Sequence, residues 1–187
     1  MKFIFAFLMF LLVLSINLNI ICYEPFFIMI NDSENALFIL RYVKGEHVDV
    51  SFLSENEIAH LNDVKSILFF SNLFLKIAFL FLIFLTIIEK WHLMLDAVKI
   101  GSFIMMGFSL FILIYSIFFF DDFFINFHKI FFPNGNWSFD PSSMLIQLFP
   151  LDFWYKTSLI FISMNIFDSF VLFFLYYFLK KTKSASK

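Results

Sequence analysis

Charge is scarce in this chain: Asp, Glu, Lys and Arg make up 15% of its 187 residues, against 61% hydrophobic residues. So little polar side chain cannot cover a water-soluble core of this size, which excludes a soluble globular domain. Glycine and proline number four each, and they form neither a phosphate-cradling loop nor a linker that would set off a second domain. No serine sits in a nucleophile elbow, and a formal net charge of -2 leaves no basic surface. Kinase, α/β-hydrolase and nucleic-acid-binding roles therefore find no support. The single cysteine, Cys22, excludes an internal disulfide and leaves the redox compartment open. No internal repeat is present.

What the chain does contain is apolar sequence gathered into runs at 3–22, 67–88, 101–120 and 157–179. Each is close to the roughly 20 residues a helix needs to cross a hydrocarbon layer. They lack the strict alternation of barrel strands, and a helix satisfies its own backbone groups in lipid. The expected fold is an all-α integral membrane protein, a single membrane domain over 1–187 with four transmembrane helices. The abundance of Phe travels with that of Ile, Leu, Lys and Asn, which points to the codon bias of an AT-rich genome rather than to an aromatic binding surface.

The first run follows Met1-Lys2, as a signal peptide would. No small-x-small cleavage site follows, so an uncleaved anchor is expected. Asn19-Ile20-Ile21 lacks the small residue that precedes a lipid-modified cysteine, and Cys22 is expected to be simply buried.

Basic residues set the orientation. With both termini cytoplasmic, Lys2, Lys90, Lys99, Lys180, Lys181, Lys183 and Lys187 fall inside, accompanied only by the acids Glu89 and Asp96. The longer segments, about 23–66 and 121–156, then lie outside and contain short interfacial helices. Trp137, Trp154 and Tyr155 would mark the outer interface, and Trp91, Tyr176 and Tyr177 the inner one.

Connections longer than about 12 to 15 residues are usually functional or disordered, and the apolar content here argues against disorder. In the first outer segment, 25–30 and 36–43 flank a turn signal at Asn31-Asp32-Ser33; periodicity leaves open whether they are strands or a surface helix. Ser54-Glu55-Asn56-Glu57 has the spacing of a capping box, predicting a helix that starts there and runs into the second span through His60, Asp63 and Lys65. His60 and Asp63 share a helical face, so the carboxylate could hold one ring nitrogen and leave the other free to take a proton. On an isolated helix the same pair reads equally as a surface histidine beside an N-terminal acid.

In the second outer segment, Asp121-Asp122 signals a helix whose Phe124, Phe127, His128 and Phe131 share a face. That face predicts a helix in the headgroup layer with His128 at the lipid boundary. Residues 133–136 make a turn, Trp137 an anchor, and Asp140-Pro141 an N-cap and first-turn proline for a helix over 142–149 that Pro150 ends. As a pattern alone this is also an ordinary structural hairpin.

Two groups of residues carry a resemblance: His60-Leu61-Asn62-Asp63-Val64-Lys65 before one span, and before another Phe127-His128-Lys129-Ile130-Phe131-Phe132, Trp137, Asp140-Pro141, Leu145-Ile146-Gln147-Leu148-Phe149-Pro150 and Phe153-Trp154. Together, in this order and placement, they resemble the bacterial lipoprotein intramolecular transacylase family. That resemblance implies transfer of the sn-2 acyl chain of a lipoprotein's diacylglyceryl-cysteine to the α-amine of the same cysteine, giving the lyso-form. It implies catalysis by His60 and His128, a diacylated lipoprotein substrate among membrane lipids, and no cofactor or nucleic acid. The chain departs from the family pattern at Ser142-Ser143 and Leu151, where acids are expected.

The residue types suit the reaction. An ammonium cannot attack an ester, so a base must free the amine, and an imidazole near neutrality can do so. Amine and ester belong to one molecule, so proximity supplies much of the acceleration and no protein nucleophile is needed. His60 oriented by Asp63 is the expected base, His128 the group that polarises the ester or returns the proton, and Lys65 or Trp137 the headgroup contacts. Exchange of the two histidine roles stays open.

Two other readings compete. His60, His128, His47 and Asp49 are metal-ligand types and would suit a metal-dependent lipid hydrolase, although their spacing matches no recognised metal motif. A noncatalytic membrane partner would explain the aromatic hairpin but not the two histidines. Within the spans, Lys76 and Asp168 lie about 13 to 17 Å below the outer ends of their helices at 1.5 Å per residue. Intramembrane charges are usually paired, so a Lys76–Asp168 pair, with Asn165 one turn away, is expected to brace the second span against the fourth. Snorkelling of Lys76 is the alternative.

Overall fold

The apolar runs become long helices, and in a computed structural model that describes residues 2–22, 33–87 and 91–185 no strand occurs among those residues. We label the helices α1 (Lys2–Ile21), α2 (Glu34–Val43), α3 (Glu55–Ile87), α4 (Trp91–Phe118), α5 (Phe120–Phe131), α6 (Met144–Leu148) and α7 (Leu151–Ala185). Four stretches, Lys2–Ile21, Glu55–Phe81, Met94–Phe118 and Leu151–Lys181, are long and apolar enough to cross a membrane. Helices α3 and α7 begin well before the apolar runs do, because helix-starting chemistry lies upstream of the hydrophobic sequence: the Ser54–Glu57 box for α3, and for α7 the Pro150 carbonyl, which accepts from the Phe153 and Trp154 amides. The expected features at 25–30, Asn31-Asp32, Glu89, Lys90 and Lys187 lie outside the described residues.

The chain divides into two compact units. The first comprises 1–18, 73–114 and 160–187. Its buried centre is Phe10, Val13 and Met105, with Leu11, Leu14 and Leu172 packed against them. Gly101 permits the close approach of α1 to α4, since a Cβ there would stand 3.1 Å from the Ala6 carbonyl oxygen. Large apolar side chains such as Phe79, Phe111, Phe167 and Phe174 point outward, as expected of a surface solvated by lipid. Hydroxyls and amides in this unit bond mostly to their own helix: Ser102 to the Lys99 carbonyl, Asn165 to that of Phe161, Ser169 to that of Ile166.

One pairing differs from expectation. The Asp168 carboxylate accepts a 2.9 Å hydrogen bond from the amide of Asn17, which is 1% exposed. Lys76 is exposed on its helix, and no ion pair links it to Asp168 among the described residues. A neutral amide can be buried at a small desolvation cost that an ammonium cannot match, so the polar brace joins α1 to α7.

The second unit comprises 19–72 and 115–159. Residues 36–43, left open between strand and helix, form α2, which buries Ala36, Ile39, Leu40 and Val43. It ends where Gly45 takes φ +98° and the Glu46 amide reaches back to the Arg41 carbonyl, a left-handed helix stop. The capping box at the start of α3 is present: the Ser54 amide donates to the Glu57 carboxylate at 2.8 Å, and the Glu57 amide to the Ser54 hydroxyl at 3.4 Å. At the other end of the unit, α6 starts two residues later than the sequence predicts. Asp140 is occupied in a turn with the Ser142 amide and hydroxyl, and Ser143 becomes the N-cap by accepting from Ile146.

Candidate active site

All of the polar groups singled out near the two histidines lie in the second unit. His60, on the second turn of α3, is 9% exposed. Phe132 and Phe139 meet its ring edge-on at centroid distances of 4.6 and 5.7 Å. The ring of His128 lies 6.1 Å away, tilted by 30°. His128 is the buried residue of α5, at 8% exposure. It sits inside the unit against Phe124 at 4.1 Å and Trp137 at 5.0 Å.

Hydrogen bonding distinguishes the two rings. His128 Nδ1 lies 2.8 Å from the Phe124 carbonyl oxygen. A carbonyl only accepts, so Nδ1 carries the proton, and in the neutral ring Nε2 presents a lone pair. His60 Nδ1 is buried with no hydrogen-bond partner among the described residues. Burial, then the neighbouring His128, push the pKa of His60 down to about 4 against the opposing pull of Asp63. Burial also lowers that of His128, opposed by its bond to Phe124. Both imidazoles are thus neutral at physiological pH.

Asp63 does not hold His60. Its carboxylate accepts from the Asn136 amide at 2.8 Å, because Gly135, at φ +75°, turns the loop so that Asn136 faces α3. The next residue, Trp137, packs against His128 with the rings tilted by 38°, so one short loop segment touches both helices. Lys65 is placed away from the histidine pair, its ammonium 4.9 Å from the centre of the Tyr42 ring, whose hydroxyl donates to Asn62. His47 and Asp49 are exposed, and no cluster of three or more His, Cys, Asp or Glu side chains suited to a metal ion occurs among the described residues.

A buried carboxylate of this unit is Glu57, 3% exposed. One oxygen closes the capping box with the Ser54 amide and hydroxyl; the other accepts from the Leu145 amide of α6 at 2.8 Å. Burial works against its charge, but donation from Leu145 and Ser54 outweighs that and holds the carboxyl below its ordinary value. The capping box made half of this role legible. The reach to Leu145, 88 residues along the chain, had no local signal.

A family model described as "Lipoprotein intramolecular transacylase Lit" matches residues 31–154, a stretch that contains His60, Asp63, His128, Asn136 and Trp137. The chain belongs to this family. It is similar in structure to the membrane-integral lipoprotein intramolecular transacylase Lit of Bacillus cereus, with a TM-score of 0.83 at 18% identity, covering 98% of this chain and 96% of that one. Two variants of the same Bacillus cereus protein, each with one histidine replaced, are also similar. The arginine variant gives a TM-score of 0.74 at 19% identity over 100% and 93% of the two chains, and the alanine variant 0.67 at 20% over 98% and 94%. Identities at this level carry the fold: an all-helical, multi-pass membrane protein. No curated protein sequence matches the chain. Membership in Lit makes this an acyl-transferring membrane enzyme of the lipoprotein transacylase kind.

Proposed function

We propose that this protein moves the sn-2 acyl chain of a lipoprotein's diacylglyceryl-cysteine onto the α-amine of the same cysteine, with His128 as the base and His60 as the hydrogen-bond donor to the reacting ester. The observation that carries the assignment is the 2.8 Å bond from His128 Nδ1 to the Phe124 carbonyl, which leaves Nε2 as an acceptor. It supports the exchange of roles that the sequence leaves open, with His128 rather than His60 as the base.

In this reading the amine nitrogen attacks the ester carbon and passes a proton to His128 Nε2. A neutral imidazole N–H of His60, the partnerless Nδ1, donates to the developing oxyanion, a role in which a low pKa keeps the ring uncharged. The intermediate then breaks its bond to the glyceryl oxygen, which takes the proton from His128. One C–N bond forms, one C–O bond breaks, and a single proton is relayed from nitrogen to oxygen with no further reactant.

The neutral state of both rings supports this division, since neither repels an incoming amine. Trp137 supports His128 by packing against its ring, and Glu57 supports His60 by fixing the first turn of its helix. Lys65, over Tyr42, is left for headgroup contact. The balance of Lys2, Lys180, Lys181 and Lys183 against the acidic outer segments supports cytoplasmic termini and an extracytoplasmic site; a reporter fused after Lys187 and active only outside the cell would refute that orientation. Mass spectrometry of a lipoprotein N-terminus tests the reaction. Lyso-form product should accumulate with the wild-type protein and vanish with His60→Ala or His128→Ala, and full conversion by both variants would end the proposal.

A further inference from the structure

Five residues of the second unit close a circuit. On α3, Asp63 follows His60 by one turn; Asp63 bonds Asn136, Asn136 adjoins Trp137, Trp137 packs against His128, and His128 faces His60. Phe132 lies within the circuit, against both histidine rings. The Asn136 amide is oriented by this arrangement. Asp63 can only accept, so the NH2 end of Asn136 points to it and the carbonyl end points away. That oxygen, Oδ1, is buried and has no hydrogen-bond partner among the described residues. A buried acceptor left unmade is costly, and it calls for a donor.

We propose that Asn136 Oδ1 binds an N–H of the substrate's α-amine and so selects the amine end of the substrate. The inference rests on the reaction proposed above and adds to it the residue that recognises the nucleophile. At the reacting centre of such a substrate the amine is the group with N–H donors, whereas the ester offers only acceptors. A neutral amine has two N–H groups, and the site has two acceptors for them: His128 Nε2, which takes the proton, and Asn136 Oδ1, which keeps its partner through the reaction. The Asp63 carboxylate behind the amide adds negative potential, favouring an electropositive N–H over an ester oxygen.

Two non-reactive probes test this: a diacylglyceryl-cysteine lipopeptide whose sn-2 ester is replaced by an ether, and its deamino counterpart, which lacks the α-amine. As competitors of the reactive lipopeptide, the amine probe should bind wild-type protein about tenfold more tightly than the deamino probe. Asn136→Ala should cut that preference several-fold by weakening the amine probe alone, the remainder being held by His128 Nε2. Asp63→Asn, which lets the Asn136 amide turn over, should reduce the preference part of the way. Retention of the wild-type preference by Asn136→Ala overturns the inference. So does equal weakening of both probes, which marks a merely structural role, or the absence of any preference in the wild type. Preference for the amine probe without conversion of the reactive lipopeptide upholds the binding role of Asn136 and rejects the proposed reaction instead.

Discussion

His128 and Phe124 stand one helical turn apart on α5, and the 2.8 Å contact between the Nδ1 of one and the carbonyl of the other gives the ring a single neutral tautomer. The proposed chemistry uses that detail, because it fixes Nε2 as the His128 nitrogen that can receive a proton. His60, with a partnerless Nδ1, has no such constraint.

Glutamine substitutions should therefore act unequally. Glutamine can donate an N–H but cannot take a proton at neutral pH. His60→Gln should keep measurable turnover above His60→Ala, which loses an oxyanion donor and so roughly 10²–10³ in kcat. His128→Gln should be no better than His128→Ala, each losing roughly 10²–10⁴. Turnover rates of the four purified variants decide it; rescue at position 128 rather than 60 would exchange the two roles.

The pH dependence has a defined sign. Both rings hold pKa values below the ordinary histidine value of 6.5, His60 at about 4. Activity that needs neutral imidazoles should thus persist below pH 6.5 and fall only further into acid. Stability follows linkage: between about 4 and 6.5 the unfolded chain binds a proton at His60 that the folded chain refuses, so stability declines as pH drops through that window. A rate profile with an acid limb at or above 6.5 would contradict the burial of these rings. His128→Gln removes a cause of the His60 shift, and an NMR titration of His60 should move upward in that variant.

Glu57 gathers donors from two helices, so its loss should be felt as stability and not only as activity. Glu57→Gln puts an NH2 group where amide donors now converge, leaving at least one of them unpaired at a cost of about 1–3 kcal/mol. Thermal unfolding in detergent should show the drop, and it should shrink toward acid pH. The reason is linkage again: the folded carboxyl is held below its ordinary value, so its contribution is present above that value and lost as it protonates. Equal melting of variant and parent at neutral pH would remove Glu57 from this account.

How much of this was legible in the sequence depended on how local each cause is. Run length marks the four spans, and Ser54 with Glu57 marks the start of α3, because both signals lie within a turn or two of what they specify. His60 and His128 stood out as residue types. Their 6.1 Å approach depends on residues far apart in the chain and had no local sign. The i, i+3 spacing puts Asp63 on the face of His60, yet a turn at Gly135 delivers Asn136 to that carboxylate instead. Spacing along a helix shows which side chains are neighbours, not which third residue reaches one of them first.

The same competition governs Asp168, and it yields the last prediction. Lys76 and Asp168 carry opposite charges at similar depths, but the Asn17 amide occupies the carboxylate at 2.9 Å. Removing the lysine should then matter little: Lys76→Met should unfold in mixed detergent micelles within about 0.5 kcal/mol of the parent, as an exposed substitution does. Asn17→Leu should cost more, about 0.6 and up to about 1.7 kcal/mol, the range for hydrogen bonds between membrane helices. In a double-mutant cycle, Asn17→Leu should couple to Asp168→Leu and Lys76→Met should not. If Lys76→Met is the more damaging single change, or the one that couples, the brace runs between α3 and α7 after all.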